Sequence, residues 1–268
     1  MGFPRSLLFT PATRPDRFAK AAVTGTQGII LDLEDAVAEA DKDAARQNVA
    51  EYLSQHERTD TQLAVRINPL TRTCGLLDLA MLAASPVAPD YILLPKAEES
   101  AHIVLVAHVL ADAGSDARIG ALIESARGVA NAATLATAHE RLDWLMFGAA
   151  DYAADLGQQV GTVRHDHARA QIVNAAASGG LVAIDSPFFA IDQADALQAD
   201  CDAARNLSFH GKAAIHPAQV EAINSTFAPS TEDREQARRI LEAAPDGVGV
   251  LDGKMIDIAM IRWARRNT

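Results

Sequence analysis

Short apolar segments alternate with alanine-rich segments of helical period along nearly the whole chain, and this alternation most limits the possible folds. Short apolar runs bounded by turn residues are typical of strands buried on both faces of a parallel sheet. The predicted strands are 6–10, 28–33, 63–68, 91–96, 119–124, 144–148, 182–185 and 212–216. Helical stretches such as 41–55 and 165–178 lie between them. The chain is therefore predicted to consist of eight β/α units.

Eight such units predict a TIM (β/α)8 barrel. An open, doubly wound sheet is the alternative, but its glycine-rich turn is missing, because Pro-Ala-Thr-Arg-Pro follows the first strand at 11–15. We expect a catalytic barrel domain over 1–228. Two more helical segments, 232–244 and 254–266, flank a glycine-rich stretch at 245–249. They predict additional C-terminal helices, an extension over 229–268.

Charge and composition exclude several classes of partner. The formal net charge of -11 over 268 residues disfavours nucleic acid and membrane surfaces, which are themselves negatively charged. The two cysteines, Cys74 and Cys201, lack the spacing of a metal site, and no secretory signal pattern opens the chain. No uninterrupted apolar stretch is long enough to cross a bilayer. We therefore expect a cytoplasmic protein without nucleic-acid or membrane partners.

Three carboxylates lie within four positions at the end of the second predicted strand: Asp32, Glu34 and Asp35. Acids this close repel one another unless a positive group lies among them. The pattern indicates a polar site at the mouth of the sheet, although a solvated acidic turn before a helix is the alternative.

Polar residues also end the other predicted strands, and in a barrel these ends face the active-site mouth. They are Arg66 and Asn68, Lys96, Glu124, Asp151, Asp185 and His216. Three of them have simpler interpretations: Lys96 as a surface lysine, Asp185 as a loop cap, and His216 as a residue that starts a helix.

Glu124 and Asp151 form the most informative pair, because they follow neighbouring strands that lie about 4.8 Å apart. Two hard oxygen ligands without cysteine or histidine suit Mg²⁺, or Mn²⁺, better than Zn²⁺. The sequence shows no other countercharge near them. Arg66 is a candidate for holding a substrate carboxylate in bidentate fashion. A structural ion pair between Arg66 and a glutamate is the alternative.

Seven blocks in chain order resemble the citrate lyase β-subunit-like family of the HpcH/HpaI aldolase superfamily. They are RSLLFTPA at 5–12, LDLEDAV at 31–37, VRIN at 65–68, PK at 95–96, IES at 123–125, GAADYAADLG at 148–157 and GKAAIHP at 211–217. The resemblance implies a Mg²⁺-dependent TIM-barrel carbon–carbon lyase acting on 3-hydroxyacyl thioesters. It implies Glu124 and Asp151 as metal ligands and Arg66 as the substrate anchor, with Glu34 and Asp35 accepting hydrogen bonds from metal-bound water.

The tail LDGKMID at 251–257 resembles a segment of the malyl-CoA and citramalyl-CoA lyase branch that enters a neighbouring subunit's site and supplies a catalytic aspartate. The resemblance gives that role to Asp257 and implies a homo-oligomer, a trimer or a multiple of one. Ala259 stands where the branch usually has proline. An ordinary amphipathic terminal helix is the alternative.

The resemblance implies retro-Claisen cleavage of an acyl-CoA thioester of the citramalyl-CoA or malyl-CoA type to acetyl-CoA and a 2-oxo acid. Asp257 would be the base, and Arg66 would stabilise the enolate. Cations expected at the first β/α loop for the CoA phosphates are Arg5, Arg14 and Lys20, with Arg17 as a solvated charge. The alternatives are a citrate lyase β-subunit that uses an acyl-carrier thioester, a thioesterase, and a catalytically silent CoA-ester-binding protein.

Overall fold

The structure, a computed structural model, describes residues 3–161, 163–245 and 247–267. The chain divides into two compact units, Met1–Thr226 and Phe227–Thr268. This division lies close to the boundary predicted between residues 228 and 229. Whether the two units act as separate domains stays a prediction.

Eight parallel strands of the first unit form a closed barrel in which each strand pairs with the next and β8 pairs with β1. The strands are β1 (Ser6–Pro11), β2 (Gly28–Asp32), β3 (Gln62–Arg66), β4 (Tyr91–Leu94), β5 (Arg118–Ile123), β6 (Leu142–Phe147), β7 (Val182–Asp185) and β8 (Gly211–Ala214). The predicted TIM barrel is thus confirmed. Several strands end before the polar residue predicted as their last one, so Lys96, Glu124 and His216 lie in the loops.

Helices connect the strands. They are α1 (Phe18–Ala22), α2 (Lys42–Ser54), α3 (Thr73–Ala84), α4 (Ser100–Asp112), α5 (Ala126–Leu135), α6 (Ala149–Asp155), α7 (Asp166–Ser178), α8 (Ala194–Asn206) and α9 (Val220–Phe227). Short 3-10 helices occupy Pro15–Arg17, Glu39–Asp41 and Pro217–Gln219. No helix of the described ranges has both the length and the apolar character needed to span a membrane.

The barrel interior is filled by one side chain or two from every strand. These are Leu7, Ile30, Ala64, Leu93, Leu122, Trp144, Met146, Ile184 and Ala213. Gly120 lies beside the Trp144 ring, which occupies the space that a side chain at 120 would need. Because side chains alternate along a strand, the residues two positions after Ile30, Ala64 and Leu122 point to the same interior. Those residues are Asp32, Arg66 and Glu124, and they lie at the carboxyl end of the barrel.

The second unit contains α10 (Thr231–Ala243), a hairpin of β9 (Gly249–Leu251) and β10 (Lys254–Ile256), and α11 (Ile258–Arg266). Its own core includes Ala237, Ile240, Ala244, Ile256, Ile261 and Ala264. The prediction of one helix over 254–266 is therefore wrong in its first part. Asp252 and Gly253 both have positive φ, 51° and 74°, which is the two-residue turn that an Asp-Gly pair favours. Residue 246, in the predicted glycine-rich stretch, lies outside the described residues.

Candidate active site

A cavity of about 900 Å³ opens at the carboxyl end of the barrel. Its acidic lining residues are Asp32, Asp35, Glu124 and Asp151, and its basic ones are Arg17, Lys20 and Arg66. Apolar walls come from residues that include Leu8, Phe9, Met146, Phe147 and Ile215. The cavity has the size of a small-molecule site, with charged groups converging on an apolar pocket.

Arg66 is held by three carboxylates. Its Nε and Nη2 donate to the two oxygens of Asp32 at 2.6 and 2.7 Å, and its Nη1 donates to Asp35 at 3.2 Å. Nη1 also lies 2.9 Å from Oε2 of Glu34. The guanidinium stands 4.9 Å from the Phe9 ring centroid, a cation–π contact. Burial alone would lower the pKa of Arg66, but the carboxylates, Asp32 foremost, outweigh burial and raise it.

This geometry corrects one expectation for Arg66. Asp32 occupies the Nε and Nη2 edge, so that edge does not hold a substrate carboxylate in bidentate fashion. Nη1 contacts Glu34 and Asp35, so a substrate oxygen at Arg66 would share Nη1 with these two carboxylates. The ion pair with a glutamate considered from the sequence is present between Arg66 and Glu34, although Asp32 is the main partner of Arg66.

Glu34 is buried between two cations. Its Oε1 lies 3.1 Å from Nζ of Lys96, while Oε2 lies near Arg66 without accepting a hydrogen bond from any described residue. Burial raises the pKa of Glu34 to about 7, because Arg66 and Lys96 offset only part of the desolvation. Lys42 fixes the backbone of this loop, since its Nζ donates to the carbonyl oxygens of Leu33 and Glu34, each at 2.7 Å.

Glu124 and Asp151 approach each other from neighbouring units of the barrel. Glu124 follows β5 directly, and Asp151 lies in the first turn of α6, after β6. Gly148 leaves space beside Glu124 open, because a Cβ there would lie 2.8 Å from Oε2 of Glu124. The pKa of Glu124 is raised to about 8, first by burial and then by the nearby Glu34, whereas Lys96 lowers it.

Lys96 is the countercharge that the sequence analysis missed. Its Nζ lies 3.1 Å from Oδ1 of Asp151 and 3.7 Å from Oε1 of Glu124, besides its contact with Glu34. Its backbone N–H donates to Oε1 of Glu124 at 2.8 Å. Lys96 is therefore not the isolated surface lysine of the simpler interpretation. The available signal was its position two residues past the end of β4, in a chain whose other strands are also followed closely by polar residues.

The donor set fits a hard divalent cation. Carboxylate oxygens, without sulfur or imidazole, are the ligands of Mg²⁺ and Mn²⁺, and the space that Gly148 leaves beside Glu124 is compatible with an ion. Within the described ranges, no three His, Cys, Asp or Glu side chains converge as a complete ligand set. Magnesium sites often keep several waters, so water and substrate would complete the coordination of an ion held by Glu124 and Asp151.

Only some of the cations expected to bind the CoA phosphates lie at the cavity. Lys20 lines the cavity, and so does Arg17, which was expected to be a solvated charge. Arg14 does not line it and pairs instead with Asp16 through Nε and Nη2, at 2.9 and 3.0 Å. Arg5 precedes β1, so it lies at the amino end of the barrel, opposite the cavity. The expectation for Arg5 is wrong, because the first β/α loop follows β1 rather than preceding it.

Two other residues at strand ends have structural contacts. Asp185 is one position from the inward-facing Ile184, so it points away from the interior and pairs with Lys212 and with Arg169 of α7. His216 accepts a hydrogen bond from the backbone N–H of Ala218 and begins the 3-10 helix, as its simpler interpretation proposed.

Asp257 belongs to the second unit, where it caps α11. One carboxylate oxygen, Oδ1, accepts hydrogen bonds from the backbone N–H groups of Ala259 and Met260, at 2.9 and 3.1 Å. A proline at 259 has no N–H and would remove the first of these bonds. The alternative of an amphipathic terminal helix therefore describes the local structure, and a catalytic role for Asp257 stays a prediction.

Comparisons with known proteins show which family this chain is similar to. A sequence profile described as HpcH/HpaI aldolase/citrate lyase matches residues 5–217, and one described as a C–C bond lyase of the TIM-barrel fold matches residues 167–268. The citrate lyase subunit beta of Haemophilus influenzae is 34% identical, with 99% of this chain and 96% of the relative covered. The (3S)-malyl-CoA thioesterase of Cereibacter sphaeroides is 33% identical, with 98% and 92% covered.

A solved structure gives the same result. The protein CitE from Mycobacterium tuberculosis, in complex with magnesium, acetoacetate and coenzyme A, superimposes with a TM-score of 0.79 at 33% identity. The similarity covers 98% of this chain and 97% of that one. With the barrel, the converging carboxylates and these similarities taken together, the chain belongs to the HpcH/HpaI aldolase/citrate lyase family.

Proposed function

We propose that this protein is a Mg²⁺-dependent enzyme that cleaves the carbon–carbon bond of a 3-hydroxyacyl-CoA thioester of the malyl-CoA or citramalyl-CoA type. The observation that carries the proposal is that Glu124, Asp151 and Arg66 line one cavity at the carboxyl end of the barrel. The magnesium and coenzyme A in the similar structure from M. tuberculosis support the choice of metal and substrate class.

Glu124 and Asp151 would hold the metal. When bound, Mg²⁺ supplies positive charge to the substrate's 3-hydroxyl and carboxylate oxygens. Glu34 and Asp35 lie beside Arg66, where they would accept hydrogen bonds from water in the coordination shell. Lys20 and Arg17 also line the cavity and would attract the CoA phosphates in a protein that is otherwise acidic.

The reaction requires a base and a stabiliser of negative charge. Asp257, contributed by a neighbouring subunit, would take the proton from the 3-hydroxyl as the bond between C2 and C3 breaks. The bonding electrons pass to the thioester as an enolate, and the Nη1 side of Arg66 stabilises its oxygen. Protonation of the enolate carbon then gives acetyl-CoA, and the other fragment leaves as a 2-oxo acid.

A thioesterase is the second candidate function, because the relative from C. sphaeroides carries that name. Hydrolysis would release free CoA thiol together with the intact hydroxy acid. A citrate lyase β-subunit, for which the H. influenzae relative is the example, would act on a thioester of an acyl-carrier protein.

The decisive experiment assays the purified protein with Mg²⁺ and a panel of malyl-CoA, citramalyl-CoA and citryl-CoA. Release of the 2-oxo acid and release of free thiol are followed separately. A lyase gives the oxo acid and acetyl-CoA without free thiol, whereas a thioesterase gives thiol. No turnover of any free CoA ester would reject the proposal and favour the acyl-carrier or silent alternatives. Glu124→Gln and Asp151→Asn serve as inactive controls.

A further inference from the structure

Lys96 contacts both proposed metal ligands, yet the proposed reaction gives it no step. Its Nζ lies 3.1 Å from Asp151, 3.7 Å from Glu124 and 3.1 Å from Glu34. One ammonium group therefore balances part of the charge of three carboxylates. The other strong cation of this cluster, Arg66, already donates two hydrogen bonds to Asp32.

The backbone of Lys96 is adapted to this position. Its φ is 48°, in the left-handed region that glycine adopts without strain and lysine rarely adopts. The conformation aims the backbone N–H at Oε1 of Glu124, at 2.8 Å. Glycine would provide the same N–H at lower conformational cost. A side chain kept in a strained conformation indicates that the side chain itself has a use.

The side chain of Lys96 is much more exposed to solvent than the two glutamates that it contacts. The side chain of Lys96 is 40% exposed, whereas those of Glu34 and Glu124 are 5% and 2% exposed. The side chain of Lys96 is flexible and reaches solvent, so its ammonium group can move away from the carboxylates without disturbing the fold. The glutamates are enclosed and remain where they are.

An ammonium and a divalent cation repel each other at these distances, and both are attracted by the same carboxylates. We propose that Lys96 is an internal counter-ion that neutralises the carboxylates of the metal-free protein and is displaced when Mg²⁺ binds. Lys96 thereby weakens Mg²⁺ binding and stabilises the metal-free state. This inference rests on the proposed function, which assigns Glu124 and Asp151 as the metal ligands.

The first test measures Mg²⁺ binding by isothermal titration calorimetry. Lys96→Met removes the charge, and Lys96→Gly removes the charge together with the backbone strain. Both variants should bind Mg²⁺ at least about tenfold more tightly than the wild type, since a competing cation has been removed. Arg58→Met is the matched control, because it removes one positive charge from an exposed pair with Asp116 at the amino end of the barrel.

The second measurement is thermal unfolding, first in EDTA and then with saturating Mg²⁺. Without metal, Lys96→Met should unfold at a lower temperature than the wild type, because three carboxylates have lost a countercharge. Mg²⁺ should raise the Tm of the variant by more than it raises that of the wild type. A lysine with a purely structural role would lower the Tm equally in both conditions.

The third measurement needs no variant. Acetylation of Lys96 in the wild-type protein is quantified by mass spectrometry with and without Mg²⁺, and the exposed Lys254 is the internal reference. Mg²⁺ should increase the rate of acetylation of Lys96 relative to Lys254, because the amine is released from the carboxylates.

Three results would overturn the proposal. They are equal or weaker Mg²⁺ binding by the Lys96 variants, an equal Tm increase, and an acetylation rate that does not respond to the metal. If the wild type and every variant fail to bind Mg²⁺, the metal-dependent function itself is rejected together with the role of Lys96. Tight binding that is independent of Lys96 rejects this inference alone.

Discussion

The guanidinium of Arg66 is oriented before any substrate arrives, because Asp32 holds two of its nitrogens and Phe9 covers one face. An ammonium cannot reproduce the parallel pair of hydrogen bonds to Asp32. Arg66→Lys should therefore lower kcat/KM by at least about tenfold, which corresponds to about 1.4 kcal/mol of lost transition-state stabilisation. Arg72→Lys, in an exposed pair with Glu39, is the control in the same steady-state assay. Unchanged kinetics in the Arg66 variant would leave Arg66 a structural residue.

The buried carboxyl of Glu124 predicts how stability depends on pH. Its pKa is raised from 4.5 to about 8, mainly by burial. Between these values the unfolded chain has released the proton that the folded protein keeps, so the free energy of unfolding should fall as pH rises. The slope from one such group is at most about 1.4 kcal/mol per pH unit.

Urea unfolding in EDTA, at steps from pH 5 to pH 9, measures this slope. Glu124→Gln does not titrate, so its stability should depend less steeply on pH than that of the wild type. Glu34, whose pKa is raised to about 7, accounts for part of the remaining dependence. Parallel pH profiles for the two proteins would show that Glu124 does not titrate in this range.

Strand periodicity made part of the site predictable at the level of single residues. Asp32, Arg66 and Glu124 follow interior apolar residues by two positions, which is enough to place them at one mouth. Lys96 could not be placed in this way, because its left-handed backbone breaks the alternation after β4. Two partners of Arg66, Glu34 and Asp35, were also not predictable, since their positions depend on the conformation of the loop that carries them.

Among the elements, the buried parallel strands were the easiest to predict and the C-terminal hairpin the hardest. Continuous apolar runs gave all eight strands, with errors of a few residues at their ends. The hairpin strands have only three residues each, too few to show alternation. The Asp252-Gly253 pair was the clear sequence signal for the hairpin turn. The amphipathic residues after the turn favoured the prediction of a helix instead.

A buried network of charged side chains joins two helices, α7 and α8, to two strands of the barrel, β7 and β8. Lys212 of β8 is fully buried, and its Nζ contacts Asp185 of β7 and lies 2.6 Å from Asp200 of α8. Arg169 of α7 completes the network through Asp185. The network fastens α7 and α8 to the strands that they cover.

Lys212→Met should reduce the free energy of unfolding by about 3–5 kcal/mol, because it leaves the carboxylates of Asp185 and Asp200 to share the one remaining countercharge of Arg169. Adding Asp200→Asn should recover part of this loss, since the remaining Arg169–Asp185 pair is balanced. Urea denaturation measures both effects, and Lys254→Met at an exposed position is the control. If the double variant is as unstable as the sum of the single ones, the charges do not act as a network.

At the scale of the whole molecule, the second unit keeps apolar residues that its own core does not use. Ile256 and Ile261 enter that core, whereas Met255, Ile258, Met260 and Trp263 are 38–68% exposed. Exposed apolar patches of this kind commonly mark contacts between protein chains. We expect these residues to pack against a neighbouring copy in a homotrimer, or in a multiple of one.

Such an arrangement would let Asp257 act in a neighbour's cavity, and complementation tests this directly. Asp257→Ala and Glu124→Gln should each be inactive alone, because one lacks the base and the other a metal ligand. Subunits mixed after mild dissociation should regain part of the wild-type activity, since some cavities then combine an intact Glu124 with an intact Asp257 from another subunit. Asp257→Ala also removes the cap of α11, so Asp257→Asn, which can still accept both backbone hydrogen bonds, is tested in parallel. Confirmed mixing without recovered activity, or an active wild-type enzyme that sediments as a monomer, would mean that no site is shared between subunits.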